Sequence, residues 1–154
     1  MIYDFRKDDL DDLKSKIQGK KSVFTNGCFD ILHVGHLRYL KEAQSLGDYL
    51  IVGVNSDRSV KDLKGPSRPV VEETERAEML AGLKAVDAVV IFDEDTPKNL
   101  IENLSPNVLC KGGDWAIEDI VGSDHVIANG GQVKSLMLVP GRSTTNLFEK
   151  LQKL

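Results

Sequence analysis

Apolar residues along this chain fall into short continuous runs separated by stretches with helical spacing. Apolar runs predict strands at residues 22–25, 49–54, 88–92, 107–110 and 133–139. Apolar residues three or four apart, with capping and stop residues, predict helices at residues 8–18, 34–46, 56–63, 74–83, 96–104, 121–129 and 143–151. The strand runs lack a clean apolar–polar alternation, which is typical of strands whose two faces are both covered.

Strands that alternate with helices predict an α/β fold, with a Rossmann-like parallel sheet of about five strands and helices on both faces. The 154 residues suit one ordinary domain, 1–154, in which residues 1–20 are expected to form an N-terminal helical extension.

Charge and composition narrow the function classes. The net charge of -4 argues against a general nucleic-acid binder, although it leaves room for a local basic pocket. Cys28 and Cys110 have no zinc-site spacing, and we expect reduced thiols and no metal ligands on the protein. The N-terminus has no signal-peptide core, and no apolar run approaches a membrane span, so we expect a cytoplasmic protein without a membrane partner.

Two of the three histidines follow the first predicted strand, in the run His33-Val34-Gly35-His36. If a helix begins near His33, both rings lie on one face of its first turn, at the positive end of the helix dipole. Gly35 permits close backbone approach, and the two imidazoles can donate to phosphate oxygens on which charge develops. The alternatives are a helix cap with a surface histidine, or a metal pair, for which only Asp30 is near.

A second cluster of polar residues precedes the last predicted helix. Ser143, Thr144 and Thr145 can cradle phosphate oxygens with backbone N–H groups and hydroxyls, and Arg142 can add a bidentate fork. Simple N-capping by Ser143 is the alternative, and both roles can hold together.

Two further loops fall on the expected ligand side of the sheet. The basic loop at residues 61–68 either closes over a triphosphate or is a solvated surface loop. The glycine turn at 111–114 allows a base or ribose to approach the backbone. For Arg76 and Lys98, single basic residues on helices, surface placement is the default expectation, and His125 receives no role.

Several of these segments resemble one known family. Residues 26–36 resemble the first motif of the cytidylyltransferase-like nucleotidyltransferases, and residues 141–145 resemble their C-terminal I-S-T-T element. Within that family, the segments that resemble the adenylyltransferases of ADP-heptose synthesis lie at residues 25–33, 54–57, 64–69, 111–114, 128–131 and 143–146. The resemblance extends from about residue 22 to the C-terminus.

The resemblance implies transfer of AMP from ATP to D-glycero-β-D-manno-heptose 1-phosphate, giving ADP-heptose and pyrophosphate, with Mg²⁺ on the triphosphate. It also implies a homodimer, a separate sugar kinase, and a product used in lipopolysaccharide core or another heptose-bearing glycan. A rival is a glycerol-3-phosphate or other polyol- or sugar-phosphate cytidylyltransferase. A non-catalytic nucleotide-binding regulatory protein is the alternative from another class.

The resemblance and the positions of the motifs together give candidate residues. His33, His36 and Lys64 are the expected catalytic residues, although Lys61 competes with Lys64 in the loop alignment. The expected nucleotide site also contains Gly27, Cys28, Phe29, Gly35, Gly112, Asp114, Gly141, Arg142, Ser143, Thr144 and Thr145. The expected sugar-phosphate site contains Asp30, Asn55, Lys61, Arg68 and Arg76.

Overall fold

A parallel sheet of six strands forms the centre of the computed structural model, which describes residues 1–154. In chain order, the strands are β1 (Ile2–Asp4), β2 (Ser22–Gly27), β3 (Tyr49–Asn55), β4 (Ala88–Phe92), β5 (Val108–Gly112) and β6 (Gln132–Leu136). The helices are α1 (Asp11–Ile17), α2 (Val34–Gln44), α3 (Asp57–Lys64), α4 (Glu73–Ala81), α5 (Lys98–Leu104), α6 (Ser123–Ala128) and α7 (Thr144–Gln152), with a 3-10 turn at Ile117–Asp119. None of these helices is sufficiently long and apolar for a membrane crossing.

The strands are apolar on both faces because helices cover both faces. Val23 of β2 belongs to a core cluster that includes residues of α2 and α4. Phe24, the next residue, belongs to a second cluster that includes residues of α1, α5 and α6. The α/β fold class predicted from the sequence is therefore confirmed.

The sheet has one strand more than the five expected, and that strand is β1. It pairs in parallel with β4 at the sheet edge, with Tyr3 opposite Val90. Leu10 and Leu13, which follow it, are buried in the second cluster. Residues 1–20 thus contribute a strand as well as a helix. Three residues in a charged stretch carry too little pattern to predict a strand whose partner lies far along the chain.

The strand order β1-β4-β3-β2-β5-β6 places a crevice above the ends of β2 and β5. The chain proceeds from β2 outward to β4 and then returns across the sheet to β5, and ligands of such sheets bind where the order reverses. The last strand was predicted to continue to residue 139, but it ends at Leu136 because its partner β5 ends opposite, at Gly112. Residues 138 and 139 turn to the crevice instead.

Candidate active site

A cleft of about 640 Å³ opens in this crevice, at the carboxyl ends of the strands. It brings together most of the residues that the sequence predicted. They are Gly27, Cys28, Phe29, Asp30, His33, Gly35, His36, Asn55, Lys64, Arg68, Gly112, Arg142, Ser143, Thr144 and Thr145.

Four predicted residues do not line this cleft. Lys61 is exposed on α3 and Asp114 is exposed beyond β5, whereas Lys64 lies on the cleft wall. Gly141 lines an adjoining cavity of about 290 Å³. Arg76, the fourth, is buried.

The two histidines form the N-terminal cap of α2. His33 is the N-cap residue, and its Nδ1 accepts a hydrogen bond from the Gly35 backbone N–H at 3.0 Å. The Nδ1 of His36 accepts from the His33 backbone N–H at 3.2 Å. The ring centroids lie 4.0 Å apart. Each ring is thus oriented by a backbone hydrogen bond before any ligand is present.

Both rings are held in the neutral form. Burial lowers the pKa of His36 to about 4, with a smaller effect from neighbouring His33. Burial and the nearby charge of Arg142 lower the pKa of His33. Because each Nδ1 accepts a hydrogen bond, the single ring proton of each neutral imidazole lies on Nε2. The Nε2 of His33 is buried and has no protein partner. The pair therefore offers two oriented N–H donors.

Gly35 is required by the close packing of this cap. A Cβ at this position would lie 2.7 Å from Cε1 of the His33 ring and 3.3 Å from the Arg142 Cβ. The absence of a side chain thus allows the histidine ring and the segment before α7 to meet over the start of α2.

The start of α7 forms the facing wall. Ser143 caps this helix as predicted, since its Oγ accepts from the Asn146 N–H at 3.0 Å, and its own hydroxyl proton is left for a ligand. The Thr144 hydroxyl donates to the Ile31 carbonyl at 3.2 Å, which attaches α7 to the turn before α2. The backbone N–H of Thr144, in the first turn of α7, can donate to an anion.

Arg76 corrects the expectation of surface placement. It is 1% exposed, and it donates to the carbonyls of Cys28, Asn55 and Val71 and to the carboxylate of Asp57. With its donors engaged by the protein, Arg76 does not reach a sugar phosphate. It ties together the turn after β2, the end of β3 and the loop before α4.

Asp30 lines the cleft, and its carboxylate is engaged by protein donors. Its carboxylate accepts from the backbone N–H groups of Val70 and Val71 and from Arg68 Nε at 2.6 Å. Burial alone would raise the pKa of Asp30, but these hydrogen bonds and the Arg68 charge outweigh it and lower the pKa. Arg68 is buried on the cleft wall, and one of its amino groups, Nη2, has no protein partner.

The cleft also contains residues outside the predicted set of ligands, one of which, Lys111, belongs to the glycine turn that the sequence indicated. They are Asn26, Tyr39, Leu63, Asp95, Thr96, Pro97, Lys111, Val121, Leu138 and Val139. Asp95, Thr96 and Pro97 lie between β4 and α5, so their position after a strand was a usable signal. No feature of the sequence indicated that Val121 lies in the cleft.

Known proteins share sequence and structure with this chain. A sequence model described as "Cytidylyltransferase-like" matches residues 24–147, which include both histidines and the start of α7. This chain belongs to the cytidylyltransferase-like family.

Relatives of this family member include "Bifunctional protein HldE" of Citrifermentans bemidjiense, 58% identical over 134 residues, which are 87% of this chain and 28% of that protein. The protein of the same name from Marinomonas sp. is 57% identical over 145 residues, covering 94% of this chain and 30% of that protein. The chain therefore spans less than a third of the length of these curated relatives.

Solved structures show the same architecture. The "lipopolysaccharide core biosynthesis protein" from Thermoplasma volcanium has a TM-score of 0.63 and 28% identity, covering 79% of this chain and 98% of that one. A pantothenate synthetase from Thermus thermophilus has a TM-score of 0.64 at 14% identity, covering 94% of this chain and 68% of that one, and it supports the fold alone.

Proposed function

We propose that this chain is a nucleotidyltransferase that transfers AMP from ATP to D-glycero-β-D-manno-heptose 1-phosphate, giving ADP-heptose and pyrophosphate. The oriented Nε2–H donors of His33 and His36, at the start of a helix and in a cleft with basic walls, carry the proposal. Membership of the cytidylyltransferase-like family supports the reaction type. The relatives named HldE and the lipopolysaccharide core biosynthesis protein support the heptose acceptor.

In this mechanism, an oxygen of the acceptor phosphate attacks the α-phosphorus of ATP. The bond from that phosphorus to the bridging oxygen breaks, and pyrophosphate leaves with the electron pair. The acceptor oxygen is already anionic, so no general base is required. His33 and His36 donate from Nε2 to the non-bridging α-phosphate oxygens, which carry increasing charge in the transition state.

The remaining nucleotide contacts follow from the helix starts. The N-termini of α2 and α7 present backbone N–H groups and a positive dipole end to the phosphates. Arg142 and Lys64 add full positive charges on the cleft wall. Gly27, Cys28, Phe29 and Gly112 line the cleft, where their backbone groups can contact the nucleoside.

We expect Mg²⁺ to enter with the triphosphate. Mg²⁺ prefers oxygen ligands and in nucleotide sites takes most of them from phosphates and water. The residues present fit this arrangement, because Asp95 offers an exposed carboxylate on the cleft wall while Asp30 is committed to protein N–H groups. The ion would supply charge that neutralises phosphate oxygens.

The proposal implies a sugar kinase that supplies the sugar 1-phosphate, and a cytoplasmic location, where ATP is abundant. We also propose a homodimer. Light scattering on the purified chain tests this, since a dimer has twice the 17.0 kDa mass of the chain.

The function is tested by measuring pyrophosphate release from ATP, CTP and GTP with a panel of acceptor phosphates. We expect release with ATP and the β-anomer of the heptose 1-phosphate. Release with CTP and glycerol 3-phosphate instead would identify a polyol-phosphate cytidylyltransferase. Nucleotide binding without release for any acceptor would identify a non-catalytic nucleotide-binding protein.

A further inference from the structure

Lys111 lines the cleft from strand β5. Along β5, Leu109 belongs to the core cluster beneath α5 and α6, and Cys110 belongs to the cluster beneath α2. Because successive side chains of a strand point to opposite faces, Lys111 is on the face opposite α2. It nevertheless lines the same cleft.

The ammonium group of Lys111 has no counter-ion in the protein. The ion pairs of the structure do not include it, although several exposed lysines, such as Lys16 with Asp12, have acidic partners. Its neighbours are the Trp115 ring, whose centroid lies 5.2 Å from Nζ, and the Cys28 thiol. Burial raises the pKa of Cys28, so this thiol is uncharged. Burial lowers the pKa of Lys111. A partly buried cation with no acidic partner in a cleft is where an anionic ligand is expected.

The loop after β5 fixes this lysine's surroundings. The Trp115 Nε1 donates to the Gly112 carbonyl at 3.0 Å, and the Trp115 backbone N–H donates to Ser135 Oγ at 3.1 Å. The Gly113 N–H donates to the Leu136 carbonyl at 2.8 Å. These hydrogen bonds hold the indole ring against the Lys111 ammonium group.

The geometry of the reaction separates two anion positions. In a displacement at phosphorus, the attacking and leaving oxygens lie roughly in line, on opposite sides of the reacting atom. The histidines, Arg142 and the start of α7 are grouped on one side, and they suit the α-phosphate and the pyrophosphate. The entering phosphate must then approach from the opposite side of the α-phosphorus, and Lys111 is a cation of the cleft on the sheet face opposite α2.

We propose that Lys111 binds the phosphate group of the acceptor sugar phosphate and holds it opposite the leaving pyrophosphate. The inference rests on the proposed nucleotidyl transfer and assigns its acceptor subsite. A cation here offsets the repulsion between two phosphorylated substrates that must come into contact.

The test compares Lys111→Met and Lys111→Gln, which remove the charge, with Lys111→Arg, which keeps it. Lys134→Met, on the exposed edge strand β6 and outside the cleft, is the matched control. We expect both neutral variants to raise the KM for the acceptor at least tenfold while the KM for ATP stays within twofold. Lys111→Arg should recover most of the acceptor affinity, and Lys134→Met should match the wild type.

A binding measurement separates this subsite from the nucleotide site. In calorimetric titrations, the neutral variants should bind α,β-methylene ATP normally and bind the acceptor at least tenfold more weakly in the resulting complex. A raised KM for ATP with an unchanged KM for the acceptor would assign Lys111 to the triphosphate and overturn the proposal. Unchanged values for both substrates would also overturn it.

The acceptor in these assays is whichever phosphate the wild type turns over, so a wrong sugar does not affect the outcome. If none of the tested acceptor phosphates supported pyrophosphate release by the wild type, the proposed function would fail independently of Lys111. Binding of inorganic phosphate to the complex with α,β-methylene ATP then tests Lys111 separately. Equal phosphate binding by the wild type and Lys111→Gln would refute its role.

Discussion

Backbone hydrogen bonds to each Nδ1 leave the Nε2–H of His33 and of His36 for a ligand. If these N–H groups stabilise the charge that develops on the α-phosphate, removing one should act on turnover more than on binding. We expect His36→Ala to lower kcat for pyrophosphate release by roughly 10²–10³, as for the loss of an oxyanion-type donor. His125→Ala is the control, because His125 contacts Ser105 outside the cleft. Near-normal turnover in His36→Ala would refute the role of its ring.

Gly35 gives a second prediction at the residue scale. Alanine is the better helix former, but its Cβ would lie 2.7 Å from the His33 ring and displace it. We expect Gly35→Ala to fold and to lose turnover by at least tenfold in the same pyrophosphate assay. Gly82→Ala is the matched control, because the nearest atoms to a Cβ there are at 3.5 Å, an ordinary contact. If the two variants had equal turnover, the ring position would not depend on Gly35.

At the scale of elements, the cap of α2 links folding to pH. The pKa of His36 is about 4 in the folded chain, against the ordinary value of 6.5 in the unfolded chain. Between these values the unfolded state binds more protons, so stability falls as pH decreases from 6.5 to 4 and is fully retained above 6.5.

We therefore expect the urea midpoint of the wild type to decrease from pH 7 to pH 5, and to decrease less in His36→Gln, which does not titrate there. The same decrease in both proteins would show that His36 does not carry this effect.

Arg76 is an element-scale feature, since it joins three loops through four hydrogen-bond partners. Arg76→Met would leave the buried Asn55 carbonyl and two partly buried carbonyls without this donor, at a cost of up to about 1–3 kcal/mol each in the free energy of unfolding before relaxation. We expect a total loss of about 3 kcal/mol or more by chemical denaturation. Arg58→Met, which removes exposed ion pairs and a hydrogen bond to the Asp93 carbonyl, should lose much less stability. Similar losses in the two variants would contradict the bridging role.

The element pattern could be predicted from the sequence because its signals are local. Apolar runs, the cap at Ser143 and the histidine spacing each depend on a few neighbouring residues, and the structure agrees with them. The burial of Arg76 could not be predicted, because its partners come from segments up to 48 residues away. The position of Asp95 and Thr96 after β4 indicates the ligand edge of the sheet, but their place in this cleft also depends on where β4 lies in the strand order, which no motif in the chain specifies.

For the whole molecule, the two ends of the chain differ in what they contribute. The N-terminal segment adds an edge strand and buries Tyr3, Leu10 and Leu13, although the family match begins only at residue 24. At roughly 1.5–3 kcal/mol for each large apolar side chain, these three contribute about 5–9 kcal/mol. That is comparable with the entire stability of an ordinary domain, about 5–15 kcal/mol. In contrast, α7 has no buried residue, yet it carries Thr144 and Thr145 and is capped by Ser143.

Two truncations should therefore have opposite effects. A chain that lacks residues 1–18 should lose its cooperative unfolding transition, because the cluster beneath α1 and β1 is uncovered. A chain that ends at residue 142 should keep a transition within a few degrees of the wild type but release no pyrophosphate, because the phosphate cradle of α7 is missing. Thermal unfolding followed by circular dichroism, together with the pyrophosphate assay, measures both. A stable chain without residues 1–18 would show that the segment is a dispensable extension. Turnover by the chain without α7 would show that the two histidines and the β-strand ends are sufficient for the reaction.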